Sequence, residues 1–223
     1  MDLPRSLGRY ILLRLLGSGG MAEVWKGWDR SLGRWVALKF LKAGIGHPGQ
    51  RIEREGRMAA GLSHPNIVPI YERGEHQGRP YLVMPLVEGS PIRPPLPPRE
   101  AARIAYEAAC ALDHAHQRGV IHRDVKPANL LIDGAGRVLL ADFGLALMAE
   151  AGTSRWAVSG TPEYASPEQI RGDGLDTRTD IYSLGVTLYH FLAGWPPFTG
   201  NTSDEIGERV LRGGAAPIPG VPP

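Results

Sequence analysis

Residues 120 to 132 read VIHRDVKPANLLI, with Asp124 and Asn129 five positions apart, Lys126 between them, and an apolar run directly after. A carboxylate there can accept a proton from an attacking hydroxyl. An ammonium can steady a phosphoryl group in transfer, and an amide oxygen can bind a metal. Thirteen residues beyond Asn129 comes ADFG, in which Asp142 offers a hard oxygen ligand suited to Mg2+ and Gly144 lets the chain turn sharply. Either motif alone reads as a polar turn. In this order and at this spacing they describe a phosphoryl-transfer loop, with Asn129 and Asp142 as the metal ligands.

Two further stretches could serve the same chemistry. In LGSGGMAEVWKG, Gly17 and Gly19 can bring backbone N–H groups up to a phosphate with no Cβ in the way, although an ordinary Gly-rich hairpin turn fits the residues equally well. A strand-like segment follows and Ala22 occupies the third glycine position, which argues against a dinucleotide fingerprint and a Walker-type loop. Lys39 lies inside the apolar run VALKFL. Glu55 shares a helical stripe with Ile52, Ala59 and Leu62, where a lone carboxylate would be costly. Two misplaced opposite charges are expected to be partners, with Glu55 holding Lys39 toward anionic phosphates.

The elements that must position these groups fall into two halves. Tyr10–Leu16, Ala22–Trp28 and Trp35–Leu41 read as strands of an antiparallel meander separated by Gly-bearing turns. A helix is expected over QRIEREGRMAAGLSH, then strands at Ile67–Arg73 and Arg79–Pro85. After a Pro-rich joint the period becomes helical from Ala101, with Gly119 as the stop. NLLI and VLLA, joined by DGAGR, predict a hairpin, and TDIYSLGVTLYHFLAG predicts a helix buried on nearly every side. The fold class is α+β: strands and one helix, a joint, then a mainly helical half, with a cleft between.

Composition narrows the function further. The 223 residues suffice for one domain or two small lobes, and 25 basic against 23 acidic residues leave a net charge of +2. That balance does not suggest nucleic acid or a membrane surface as partner. The single cysteine, Cys110, suits a reducing compartment. There is no apolar stretch of about 18 uncharged residues to span a bilayer, and no signal peptide, so the expected location is cytoplasmic.

With GSGGMAEV, VALK, Glu55 and HPNIV, HRDVKPAN, DFG, GTPEYASPE and DIYSLG in this order, the chain resembles the bacterial Ser/Thr protein kinases of the eukaryotic-like family. The resemblance implies a small β lobe over residues 1–88 and a larger helical lobe over 89–223, with ATP and Mg2+ in the cleft. It implies γ-phosphoryl transfer to Ser or Thr of proteins, including a second copy of the chain. Val24, Ala37 and Leu131 would pack the adenine, Met84 would stand behind it, and Pro85, Leu86 and Val87 would form the hinge. Pro85 gives up only an N–H there. His122 and Phe143 would join a column between the lobes, anchored by Asp180. Lys126 and Thr161 point to Ser and Thr as acceptors over Tyr. Arg123 would receive a phosphate on Thr153, Ser154 or Ser159, Thr153 first among them.

Two departures from the family pattern carry expectations of their own. Five prolines stand among the eleven residues between Gly89 and Ala101, a density no helix survives, so the cleft mouth is expected to be altered. After GWPPF the chain runs to RGGAAPIPGVPP, which leaves the large lobe short of its last helices and Glu168 short of an Arg partner. Two other readings therefore stay open: a catalytically silent nucleotide-binding scaffold, and a small-molecule phosphotransferase of related fold. GTPEYASPE, which resembles a protein-substrate platform, speaks against the latter.

Overall fold

The computed structural model describes residues 6–19, 22–42, 61–89, 92–143 and 161–220. Six strands form one antiparallel sheet: β1 (Ser6–Leu7), β2 (Tyr10–Ser18), β3 (Ala22–Asp29), β4 (Arg34–Leu41), β5 (Glu72–His76) and β6 (Arg79–Pro85). Their order is β1-β2-β3-β4-β6-β5, so β4 lies inside the sheet with a strand on either side. Its run WVALKFL is apolar at nearly every position, as a strand covered on both faces requires. Val36, Leu38 and Phe40 pack with Leu7, Tyr10, Leu12 and Val83 on one face.

Strand alternation then sends Ala37 and Lys39 to the opposite face. Register completes that face in two rows. Val24, Lys39 and Leu82 are paired across β3, β4 and β6, and so are Lys26, Ala37 and Met84.

The strand expected at Ile67–Arg73 is displaced to Glu72–His76. Ile67 instead bridges Leu140 in parallel, Val68 N–H donates to the Leu140 carbonyl at 3.0 Å, and Leu140 N–H donates to the Asn66 carbonyl at 2.8 Å. These residues satisfy their backbone groups on a hairpin of the other half, β7 (Leu130–Ile132) with β8 (Val138–Leu140). They thereby tie the two halves together.

The helical half is built on α1 (Pro98–His116) and α3 (Arg178–Ala193), with the short α2 (Pro167–Arg171) and α4 (Ser203–Arg212) beside them. Helix α1 begins three residues before the expected Ala101, because Pro98 in its first turn has no N–H to leave unpaired. Ala101, Ile104, Ala108, Leu112 and Ala115 are buried as the spacing requires, against Leu140, Leu184 and Phe191. Each large apolar side chain buried there contributes roughly 1.5–3 kcal/mol.

Helix α3 is less enclosed than its sequence suggests: Ile181 stays 56% exposed. Residues 92–97 of the Pro-rich joint are not helical. They are fastened to α3, where Leu96 N–H donates to the Phe191 carbonyl at 2.6 Å.

Candidate active site

The turn carrying Asp124 hangs from a buried carboxylate. Asp180, fully enclosed in the first turn of α3, accepts N–H bonds from His122 at 2.8 Å and from Arg123 at 2.7 Å. His116 Nε2 also lies 2.6 Å from Asp180 Oδ2. Arg123 has φ of 69°, a conformation a non-glycine residue holds only where its surroundings impose it. The two bonds from Asp180 impose it on one side, and on the other Gln169 Nε2 donates to the Arg123 carbonyl at 2.8 Å.

His122 fixes the next joint. Its Nδ1 accepts from Asp124 N–H at 3.2 Å, so its hydrogen sits on Nε2 and is donated to the Ala141 carbonyl at 2.8 Å. Its ring meets Phe143 edge to face, with centroids 4.6 Å apart. This is the contact between His122 and Phe143 that the family resemblance implies, with Asp180 bonded to the same turn.

Asp124, Lys126 and Asn129 converge. Lys126 Nζ is 2.9 Å from Asp124 Oδ2 and donates to Thr161 Oγ1 at 3.1 Å. The Asn129 amide donates to the Asp124 carbonyl at 2.7 Å and to Asp124 Oδ2 at 3.0 Å. With both amide hydrogens committed, Oδ1 is the atom Asn129 can offer a metal. Ala141 N–H donates to the Asn129 carbonyl at 2.9 Å, which brings Asn129 and Asp142 to the same end of the β7–β8 hairpin.

Asp142 is itself in a left-handed conformation, φ of 72°. Its Oδ2 lies 2.6 Å from Lys39 Nζ, which reaches across from β4. Glu55, the partner expected for Lys39, lies outside the described residues. So do Gly144 and the hydroxyls of Thr153, Ser154 and Ser159.

The donor set suits a hard divalent cation. Asn129 Oδ1 and the second oxygen of Asp142 are neutral and anionic oxygens of the kind Mg2+ takes, usually keeping several waters besides.

On the sheet side, Val24, Ala37 and Met84 share the face that carries Lys39. A cleft runs inward from there, lined by Val68, Ile70, Leu82, Met84, Asp142 and Phe143. Pro85 closes β6 opposite Val36, Val87 follows half-buried, and Leu131 lies half-buried on β7. Gly17 pairs with Val24, and Gly19 N–H bonds the Ala22 carbonyl at 2.9 Å. A Cβ on either glycine would meet nothing within 4 Å. Neither is demanded by packing, and what they supply is an uncovered backbone.

Several contacts had no signal in the sequence. Glu168 is not left without a partner: Thr179 Oγ1 donates to its Oε1 at 2.7 Å. Burial opposes its charge, but the hydrogen bonds from Thr179, from its own backbone and from Ser166 together hold its carboxyl below the ordinary range. His116, Gln169 and the Tyr164–His190 pair were likewise invisible, since each depends on residues far apart in the chain that only packing brings together.

Comparison with known proteins agrees with this geometry. The protein kinase domain family matches residues 10–218. The chain is 42% identical over 232 residues to serine/threonine-protein kinase PknB of Mycobacterium leprae, covering 97% of this chain and 37% of that protein. It is 40% identical over 219 residues to serine/threonine-protein kinase PrkC of Bacillus subtilis, covering 93% and 34%. It thus spans little more than a third of the length of these relatives. The crystal structure of the Mycobacterium tuberculosis PknI kinase domain superposes with a TM-score of 0.74 at 34% identity, covering 89% of this chain and 80% of that one. A two-lobed fold with the HRDVKPAN residues and Asp142–Phe143 on adjoining turns, matched along nearly its whole length, places the chain in the protein kinase domain family.

Proposed function

We propose that this chain is the catalytic part of a protein serine/threonine kinase, transferring the γ-phosphoryl group of ATP to Ser or Thr hydroxyls of proteins, those of a second copy of itself included. The observation that carries this reading is the cluster at the hairpin end: Asp124, Lys126 and Asn129 within hydrogen-bond reach of one another, beside an Asp142 that is paired to Lys39.

In this reading Asp124 accepts the acceptor hydroxyl's proton as its oxygen attacks. The contacts from Lys126 and Asn129 hold that carboxylate in place. Lys126 places its charge where negative charge builds up on the transferring group, and Lys39 does the same for the phosphates that stay behind. Asn129 and Asp142 would hold Mg2+, which when bound neutralises phosphate charge. Glu55 is the proposed partner of Lys39 when Asp142 is engaged elsewhere. Val24, Ala37, Met84, Val87 and Leu131 enclose the adenine, with Pro85 giving its carbonyl, while Gly17 and Gly19 lie over the phosphates. We divide the lobes after residue 88.

No described helix is long and apolar enough to cross a membrane. Cys110 is a free thiol, which suits a reducing compartment where ATP is held.

Intact-mass spectrometry after incubation with Mg2+ and ATP, beside Asp124→Ala, tests the proposal. Added phosphate in the wild type that vanishes in the variant is expected. No added mass on folded, ATP-binding protein would replace this reading with that of a silent nucleotide-binding scaffold.

A further inference from the structure

Two side chains of α3 grip one residue of the turn that precedes α2. Ser183 Oγ donates to the Tyr164 carbonyl at 2.8 Å, and His190 Nδ1 lies 2.6 Å from the Tyr164 hydroxyl. The Tyr164 and His190 rings are also stacked, 25° from parallel with centroids 6.1 Å apart. Tyr164 ends the 3-10 turn Pro162–Tyr164, and the residue before that turn is Thr161, whose Oγ1 receives the Lys126 ammonium. Tyr164 N–H in turn donates to the Thr161 carbonyl. The two grips on Tyr164 therefore set the position of the segment that touches Lys126, although His190 touches nothing that reacts.

We infer that His190 is a positioning residue, whose neutral imidazole accepts the Tyr164 phenolic hydrogen and so holds the Thr161–Tyr164 segment in register with Lys126 for the acceptor protein. The direction of the bond follows from bonding capacity. The phenol has one hydrogen and, among the described residues, no other acceptor for it, whereas Nδ1 has a lone pair only when the ring is neutral. Burial favours both neutral forms: it lowers the His190 imidazolium below the usual histidine range and pushes the Tyr164 phenol up to about 12.

The sequence gives no hint of the pair, because 26 residues separate its members. Serine at position 183 and histidine at position 190 are seven residues, about two turns, apart on one helix, so they face the same way. That spacing lets them hold the carbonyl and the hydroxyl of one tyrosine.

This inference rests on the kinase reading, and the test separates the two. With casein as acceptor, His190→Ala is expected to lower kcat/KM for casein about tenfold, the scale of one lost neutral hydrogen bond, with KM for ATP unchanged. His190→Asn, whose amide oxygen can accept near the place of Nδ1, should recover most of that loss. His190→Phe keeps a stacked ring without an acceptor and should resemble Ala. Equal losses for casein and ATP, or a fully active Phe variant, would overturn it.

A second readout needs no turnover: the 15N signals of His190 in the wild type against Tyr164→Phe. A hydrogen-bonded Nδ1 with the proton on Nε2, changed in the variant, is expected. An Nδ1 signal indifferent to Tyr164 overturns the inference even if the wild type phosphorylates nothing, a result that would by itself count only against the kinase reading.

Discussion

Lys39 and Asp142, 103 residues apart in sequence, face each other at 2.6 Å with side chains only 12% and 20% exposed. The cation reaches over from the sheet, and the carboxylate stands at the end of the β7–β8 hairpin. Each compensates a charge that would be costly alone in so enclosed a place.

If Asp142 holds the metal as proposed, that pairing sets metal binding and the lysine against each other in the absence of nucleotide. Lys39→Ala is expected to bind Mn2+, used as a paramagnetic stand-in for Mg2+, more tightly than the wild type, by several-fold. Phosphoryl transfer should nonetheless fall at least about 100-fold, since the charge facing the phosphates is gone. Electron paramagnetic resonance titration and a radiolabel assay read the two effects, and weaker Mn2+ binding in the variant would contradict the first.

Asp180 supports the turn and not the chemistry. Asp180→Ala leaves the backbone N–H groups of His122 and Arg123 buried without that acceptor, and the left-handed Arg123 loses the support it has on one side. At about 1–3 kcal/mol per unsatisfied group, a loss of about 3 kcal/mol is expected. Urea unfolding measures it, and a midpoint unchanged from wild type would show that the turn is held by something else.

The Thr179 hydroxyl is one of the donors that hold the Glu168 carboxylate within the fold. Thr179→Val preserves shape and deletes that donor, so the half-buried carboxylate loses a charge-assisted bond. Roughly 1.5–3 kcal/mol of stability should go with it, visible in a thermal melt at neutral pH. Because the bond favours the ionised form, the difference between wild type and variant should shrink as the medium is acidified.

Acid should destabilise the fold through buried imidazoles. Burial lowers His190, and burial together with His114 and Arg118 lowers His64, whose Nδ1 accepts from Asn66 N–H at 3.1 Å. For such a group the unfolded chain binds the proton more readily. Stability is therefore complete above about pH 6.5, the ordinary histidine value, and falls as pH drops below it. Glu168, held below its ordinary range, adds a loss of the same sign further into acid. Melting temperatures at pH 7.5, 6.5 and 5.5 check this. A flat profile would mean that folding lowers the proton affinity of neither histidine.

Much of the site was legible in the sequence alone, because Asp124, Lys126, Asn129 and Asp142 are chemically rare in such order beside apolar runs. Asp124, Lys126 and Asn129 lie within six consecutive positions, so one tight turn, opened by Lys126 and closed by Pro127–Asn129, must bring them together. Strands β2, β3, β4 and β6 and the β7–β8 hairpin were likewise determined locally, by apolar runs bounded with turn residues.

The sequence by itself was silent where a side chain's partner is chosen by packing. Ile67 and Val68 have the composition of a strand, but nothing local says which sheet their backbone will join, and they chose the far hairpin. Asp180 is one more acid at a helix start until α3 packs under the His122 turn and makes it the acceptor for two N–H groups. Glu168 found Thr179, and Tyr164 found His190, across separations no periodicity encodes. Local spacing determines which elements form and which groups share a turn. Only the buried contact of distant elements, where an unpaired polar atom is expensive, decides which groups meet.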